Sequence, residues 1–129
     1  MNPTTEPAST PSSLAPCPDS PNCVSSQAAS PDKRIAPFSS DRPGDEMMSL
    51  LRGILESMPG SKLVASTDTY LKAEFTTRWL RYVDDLELLL DRGEGVVHVR
   101  SASRVGTWDL GANRRRVETL RRRLASVQK

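Results

Sequence analysis

A chain of 129 residues with a net charge of +2 is long enough for one small folded domain. No apolar run approaches the roughly 18 residues that cross a bilayer, and the N-terminus lacks the basic and apolar regions of a signal peptide. Composition thus argues against a membrane-spanning protein, and we expect a soluble, cytoplasmic one. A start that lies further upstream would instead favour an exported or membrane-attached protein.

Residues 1–40 differ in composition from the rest of the chain. They hold eight of the ten prolines, are dense in Ser, Thr and Ala, and have almost no large apolar side chains. Such a segment buries too little surface to offset its conformational entropy. We therefore predict a disordered tail over residues 1–14, an extended segment with both cysteines over 15–40, and a single domain over 41–129.

The charge is distributed unevenly along the chain. Residues 100–129 carry a net charge of +7, and residues 1–99 carry −5. A basic end of this kind either attracts anions or docks on an acidic face of the same molecule. The sequence leaves both interpretations open.

Hydrophobic spacing predicts two helices. Between residues 45 and 58, apolar side chains recur at steps of three and four, which is typical of a helix with one buried stripe. Pro59-Gly60 ends this helix. A second helix is predicted over residues 113–127, with six arginines outside its apolar stripe. That stripe comprises Val117, Leu120, Leu124 and Val127.

Between the helices, the period of the apolar pattern changes from 3.6 to 2. Residues 70–76 alternate, and residues 85–90 and 96–101 do the same on either side of a turn at 92–95. Residues 62–66 predict a further, shorter strand. Because each strand has one apolar face, we predict an α+β domain in which an antiparallel meander of three to four strands is covered by two helices.

The only two cysteines, Cys17 and Cys23, lie in a proline-rich loop. A disulfide between them is geometrically possible and would attach the N-terminal segment to the fold in an oxidising compartment, whereas free thiols are the default in the cytosol. A structural zinc site needs four ligands, and the chain offers a single histidine. We therefore predict no metal and no cofactor.

Polar residues cluster where the last strand ends and the second helix begins. Arg100, Ser103 and Arg104 supply many hydrogen-bond donors for a carboxylate or phosphate. Either Asp109 or Asn113 is a natural N-cap, and a helix N-terminus also attracts anions. We therefore predict an anion-binding pocket that these five residues form together, although capping alone would explain the last two.

Two polar side chains of the sheet have structural alternatives. Arg100 lies on the same predicted face as Glu74 and Glu87, and neighbouring strands would pair them. His98 is the only side chain expected to titrate near neutrality, but no Ser or Cys nucleophile stands at a fixed spacing from it. We interpret His98 as a surface histidine of the strand and leave Arg100 open between an ion pair and a ligand contact.

Carboxylates of the same strands allow an enzyme hypothesis. In it, Asp84, Asp85 or Glu74 acts as the general base, and Arg100 and Arg104 stabilise an anion. Adjacent residues of a strand point to opposite faces, so at most one of the two aspartates faces the proposed site. A role at a turn or strand edge is the alternative for both.

The six arginines of the second helix allow a third hypothesis, an interaction module for an acidic protein or a nucleic acid. They flank the apolar stripe on both sides, as in a solvated amphipathic helix, and no aromatic platform accompanies them. Nucleic acid is therefore the less favoured partner. The leading hypothesis is a ligand-binding or scaffolding domain whose partner is an anionic small molecule or an acidic protein.

Several motifs resemble, in order, those of the domain of unknown function 1499 family. They are Cys17-Pro-Asp-Ser-Pro-Asn-Cys23-Val-Ser-Ser, Tyr70 with Glu74, Val83-Asp84-Asp85, Val99-Arg100-Ser-Ala-Ser-Arg104-Val-Gly106 and Asp109-Leu-Gly111-Ala-Asn113-Arg-Arg-Arg116-Val-Glu118. The resemblance runs from about residue 14 to the C-terminus. The family's signature positions correspond to Cys17, Asn22, Cys23, Glu74, Asp84, Asp85, Arg100, Ser101, Ser103, Arg104, Gly106, Asp109, Gly111, Asn113 and Arg116.

The resemblance names the domain without naming an activity. Members of the family often look exported or membrane-attached, which favours a disulfide between Cys17 and Cys23. This chain departs from that pattern, since it shows no export segment. Trp108 stands in the loop between Gly106 and Asp109, where we expect a large aromatic side chain to be able to close a pocket over the arginines.

Overall fold

The computed structural model describes residues 11–77, 81–106 and 109–127, which form six strands and two helices. The elements in chain order are β1 (Cys23–Ser25), β2 (Phe38–Ser39), α1 (Gly44–Ser57), β3 (Ser61–Ser66), β4 (Tyr70–Thr76), β5 (Val83–Asp91), β6 (Val96–Ser103) and α2 (Ala112–Val127). Neither helix is long and apolar enough to cross a membrane. The α+β class and the two predicted helices are confirmed.

All six strands form one antiparallel sheet in the order β1–β6–β5–β4–β3, and β2 also pairs with β6. Strands β3 to β6 are the predicted meander. The predicted number of three to four strands is too low, because the N-terminal segment adds β1 and β2 along β6. These two strands have three and two residues, so neither is long enough for an alternating pattern to be visible in the sequence.

One face of the sheet is apolar and is covered by both helices, as the period-2 pattern predicts. In β4, Leu71, Ala73 and Phe75 are buried in one cluster with side chains of α1 and α2. The chain turns from α1 into β3 at Gly60, whose φ of +79° suits glycine, and a Cβ there would lie 2.8 Å from the Thr76 carbonyl oxygen. We call the covered side of the sheet the helix face.

The opposite side, which we call the outer face, carries most of the charged side chains of the strands. Residues 11–20 run across part of it, and Leu14 is buried there against Tyr70 and Leu89. The backbone N–H of Leu14 donates to the Gln27 side chain at 2.9 Å, which holds the segment in place. Residues 1–10 of the predicted tail lie outside the described residues, and the predicted domain boundaries stay predictions.

Cys17 and Cys23 form a disulfide, with their Cα atoms 5.7 Å apart. Cys23 belongs to β1 and pairs with Ala102 of β6. The bond therefore attaches the segment that crosses the outer face directly to the sheet.

Replacing both cysteines with serine should lower the free energy of unfolding by about 2 kcal/mol, because the short closed loop no longer restricts the unfolded chain. Urea denaturation of the oxidised proteins measures the difference. A reducing agent should bring the wild type down to the level of the Cys17→Ser/Cys23→Ser variant and leave the variant unchanged. Equal stability of the two oxidised proteins would contradict a stabilising disulfide.

Candidate functional site

The five predicted site residues lie on two sides of the sheet. Arg100 and Arg104 are on the outer face, where they contact carboxylates. Ser103, Asp109 and Asn113 are joined by hydrogen bonds on the helix face, where α2 begins. The five residues therefore form two separate clusters, one on each face of β6. A ligand-binding role for either cluster stays a prediction.

Asn113 is the centre of the group on the helix face and is fully buried. Its amide nitrogen has three acceptors within hydrogen-bond distance for its two hydrogens: the Asp109 carboxylate at 2.8 Å, the Ser103 hydroxyl at 3.0 Å and the Asn22 carbonyl oxygen at 3.2 Å. Its amide oxygen accepts the Ser101 hydroxyl at 2.6 Å. One side chain therefore connects β6, the start of α2 and the residue that precedes β1.

Asp109 provides the cap of α2. Its Oδ1 accepts the backbone N–H of Gly111 at 2.8 Å, and its Oδ2 accepts that of Asn113 at 3.2 Å. Burial raises the pKa of Asp109, but the hydrogen bonds from Asn113 and Gly111 outweigh it and keep the pKa below its usual value. Of the two predicted capping residues, Asp109 serves as the cap, and Asn113 lies within the first turn of α2.

A buried ion pair extends this network. The Asp84 side chain is only 4% exposed, and its Oδ2 lies 3.0 Å from Nη2 of Arg116. Nη1 of the same guanidinium donates to the Asn113 amide oxygen at 3.1 Å and to the Ser101 hydroxyl at 3.4 Å. The guanidinium also stacks on Phe75, 4.7 Å from the ring centroid. We call these residues, with those around Asn113, the buried polar network.

On the outer face, Arg104 is held by two carboxylates. Its Nε and Nη2 donate to the two Asp85 oxygens at 2.8 and 2.9 Å, and Nη2 also donates to Glu74 at 2.8 Å. The bidentate contact lowers the pKa of Asp85, against the opposing effect of burial, and raises the pKa of Arg104. The Arg104 side chain is still 46% exposed.

Arg100 lies deeper on the outer face, beneath the N-terminal segment. Its Nη1 is 3.6 Å from the Glu87 carboxylate, and its Nη2 donates to the Pro16 carbonyl oxygen at 3.3 Å. Glu87 also accepts a hydrogen bond from the Tyr70 hydroxyl. The pKa of Tyr70 is raised, chiefly because the side chain is partly buried and also because of this contact with Glu87. The predicted pairing of Arg100 with Glu87 is present, whereas Glu74 pairs with Arg104 instead.

The carboxylates of the enzyme hypothesis are also divided between the two faces. Asp84 points to the helix face and Asp85 to the outer face, as the alternation of a strand requires. Asp84, Asp85 and Glu74 each form an ion pair with an arginine. Structural pairing is therefore the role that the geometry gives to all three.

The arginines of α2 contact other parts of this chain. Arg114 donates to carbonyl oxygens of residues 32 and 34, and Arg121 donates to those of residues 36 and 37. Arg123 donates to the Ser57 hydroxyl at the end of α1. These contacts attach the N-terminal segment and α1 to α2, so much of the basic helix docks on its own molecule, chiefly on backbone carbonyl groups.

Local sequence patterns do not identify three members of the buried polar network. They indicate a solvated helix arginine at Arg116, a general base or a strand-edge residue at Asp84, and no particular role for Asn22. All three are among the signature positions of the resemblance, which was the one signal that could have identified them. Trp108, expected to close a pocket, lies outside the described residues.

The chain is thus an α+β domain in which a buried polar network fixes the end of the sheet to the second helix. The family described as proteins of unknown function (DUF1499) matches residues 13–124, and the chain belongs to this family. No curated protein and no solved structure matches the chain. The match extends from the segment on the outer face to the last turns of α2.

Proposed function

We propose that this chain is a binding protein rather than an enzyme, and that it holds an anionic group of its ligand at Arg104. The observation that carries this proposal is a guanidinium that is both oriented and accessible. Asp85 and Glu74 occupy its Nε and Nη2 donors, and the side chain is 46% exposed. Among residues 11–77, 81–106 and 109–127, nothing accepts a hydrogen bond from its Nη1.

An oriented guanidinium suits carboxylate and phosphate recognition. The planar group offers its donors in fixed directions, and a long side chain normally loses rotational freedom when it binds. Here the bidentate contact with Asp85 has already restricted the Arg104 side chain. Arg104 therefore loses less conformational entropy when a ligand binds.

Backbone contacts fix the position of Arg104 from both sides. The N–H of Ser103 donates to the Asn22 carbonyl oxygen at 3.0 Å. The N–H of Arg104 donates to the Val83 carbonyl oxygen at 3.1 Å. The Asn22 side chain donates to the Gly106 carbonyl oxygen. The buried polar network therefore supports the proposal indirectly, as the rigid base that carries Arg104.

Charges of both signs surround Arg104, which bears on the kind of ligand. Asp85 and Glu74 place negative charge beside it, and Lys72 and Arg100 lie close enough to Asp85 to lower its pKa. A face with alternating charges favours a small acid or an acidic protein side chain that also accepts or donates hydrogen bonds. It disfavours a polyanion such as nucleic acid, which binds to continuous positive surfaces.

The direction of the pKa shift favours binding over general-base catalysis. A carboxylate that works as a general base near neutral pH needs a raised pKa. The pKa of Asp85, which accepts hydrogen bonds from Arg104 through both carboxylate oxygens, is lowered. Asp84 is buried in its ion pair on the other side of the sheet.

Replacing Arg104 with glutamine should reduce the amount of copurifying acidic ligand about tenfold or more, because charge-assisted hydrogen bonds are lost. Native mass spectrometry of the purified proteins measures the bound fraction. Arg92→Gln is the matched control, since Arg92 is also exposed and also forms an ion pair, with the carboxylate of Asp45. The same ligand at the same occupancy in Arg104→Gln and the wild type would contradict the proposal.

A further inference from the structure

Three ligand-type side chains converge at the hairpin between β5 and β6, away from Arg104. Asp91 ends β5, Glu94 lies in the turn, and His98 is on β6. The register pairs Leu89 with His98, so Asp91 and His98 are diagonal neighbours on the outer face. One oxygen from each carboxylate and one imidazole nitrogen lie within 4.8 Å of one another.

The histidine of this cluster is held in a fixed orientation. The His98 side chain is 14% exposed, and its Nδ1 lies 2.9 Å from the Ser26 hydroxyl oxygen. That oxygen accepts the backbone N–H of Val99 at 2.8 Å, and its hydrogen can go to the Val99 carbonyl oxygen at 3.4 Å. When Nδ1 donates to Ser26, Nε2 is the imidazole nitrogen that can bind a metal ion, and it lies 3.7 Å from Oδ2 of Asp91. Metal-binding histidines are oriented by this kind of second contact.

The two carboxylates have no basic partner other than the imidazole among the described residues. Arg92, which lies between them in the chain, turns away and donates to Asp45 at 2.7 Å. Asp91 uses its Oδ1 to accept the backbone N–H of Glu94 at 3.1 Å, which directs Oδ2 toward His98. A cation at the centre of the cluster would balance both charges.

We propose that Asp91, Glu94 and His98 bind a divalent transition metal ion of the Zn²⁺ type. An imidazole nitrogen with two carboxylate oxygens suits Zn²⁺, whereas Mg²⁺ and Ca²⁺ take oxygen ligands. Around a tetrahedral Zn²⁺ the ligand atoms are about 3.4 Å apart, so the cluster needs only a small contraction. Glu94 is exposed in the turn and free to make that movement. Three protein ligands leave a coordination position for water or a further ligand.

Calorimetric titration of the metal-free chain with Zn²⁺ tests this site. We expect one saturable site per chain, with the affinity reduced about tenfold or more in His98→Asn, Asp91→Asn and Glu94→Gln. Ser26→Ala should also weaken binding about tenfold, since it removes the contact that orients the imidazole. Glu56→Gln is the control, because Glu56 is an exposed carboxylate of α1.

The imidazole NMR signals of His98 should shift on addition of Zn²⁺ and not on addition of Mg²⁺. The absence of saturable Zn²⁺ binding would overturn the proposal, as would unchanged affinity in Glu94→Gln or equal affinity for Mg²⁺. Circular dichroism of each metal-free variant checks the fold. If His98→Asn does not fold, the Zn²⁺ affinity of Glu94→Gln decides the outcome, because Glu94 is exposed and its substitution should leave the fold intact. Neither result bears on Arg104, since Arg104→Gln should bind Zn²⁺ as the wild type does.

Discussion

Asp84→Asn should lower the free energy of unfolding by about 3 to 5 kcal/mol, the largest loss that we expect from a single substitution. Asparagine keeps the shape of the side chain but removes the charge that balances Arg116. Both partners are largely buried, with side-chain exposures of 4% and 13%. A buried charge that loses its partner retains the full unfavourable effect of desolvation. Urea denaturation followed by circular dichroism measures the loss.

Asp85→Asn is the matched control, because it changes the next residue of the same strand on the opposite face. Its arginine partner is accessible to water, so we expect a loss of about 1 kcal/mol or less. Replacing Asp84 and Arg116 together with leucine should recover much of the stability that Asp84→Asn loses, because no unpaired charge remains. Equal losses in Asp84→Asn and Asp85→Asn would contradict a structural role specific to the buried pair.

Asn113→Ala should lower the free energy of unfolding by about 3 kcal/mol. The substitution removes the acceptor of the fully buried Ser101 hydroxyl, together with the donor to Ser103 and one of the two donors to the buried Asn22 carbonyl oxygen. A buried polar group without a partner is destabilising by about 1 to 3 kcal/mol. Thermal and urea denaturation measure the change.

Ser126→Ala, an exposed change in the same helix, is the control and should change the free energy by about 0.5 kcal/mol or less. Asn113→Asp should be at least as destabilising as Asn113→Ala, since it adds a negative charge beside Asp109 and removes the donors. If Asn113→Ala unfolds at the same urea concentration as Ser126→Ala, the network around Asn113 does not stabilise the fold.

The predictable part of the fold is the part with local periodicity. Residues 70–76 and 96–101 alternate because one side of each strand meets the helices, and α1 shows its buried stripe for the same reason. β1 and β2 carry no such signal. Both strands form because they pair with β6 along its edge. Arg114 and Arg121 also hold the N-terminal segment in place by donating to carbonyl oxygens of residues 32–37.

The site is less predictable than the fold, because residues that are close in sequence lie on opposite faces of a strand when an odd number of positions separates them. Arg100 and Ser103 are three positions apart on β6 and so point to opposite faces. That separation was available from the sequence. The pairing of Asp84 with Arg116 was not, since it depends on how α2 packs against the sheet. A helix arginine that becomes buried has the same local pattern as one that stays in water.

The most direct test of the proposed function is an NMR titration of the wild type and Arg104→Gln with inorganic phosphate and with citrate. Ser103, Arg104 and Gly106 report on the candidate site through their backbone amide signals, and the Nε–H of Arg104 reports on the guanidinium. We predict saturable shifts of these signals in the wild type and in Arg92→Gln, and no saturable response in Arg104→Gln. Shifts of equal size in Arg104→Gln, or a wild type that shows no saturable shift with either anion, would contradict an anion site at Arg104.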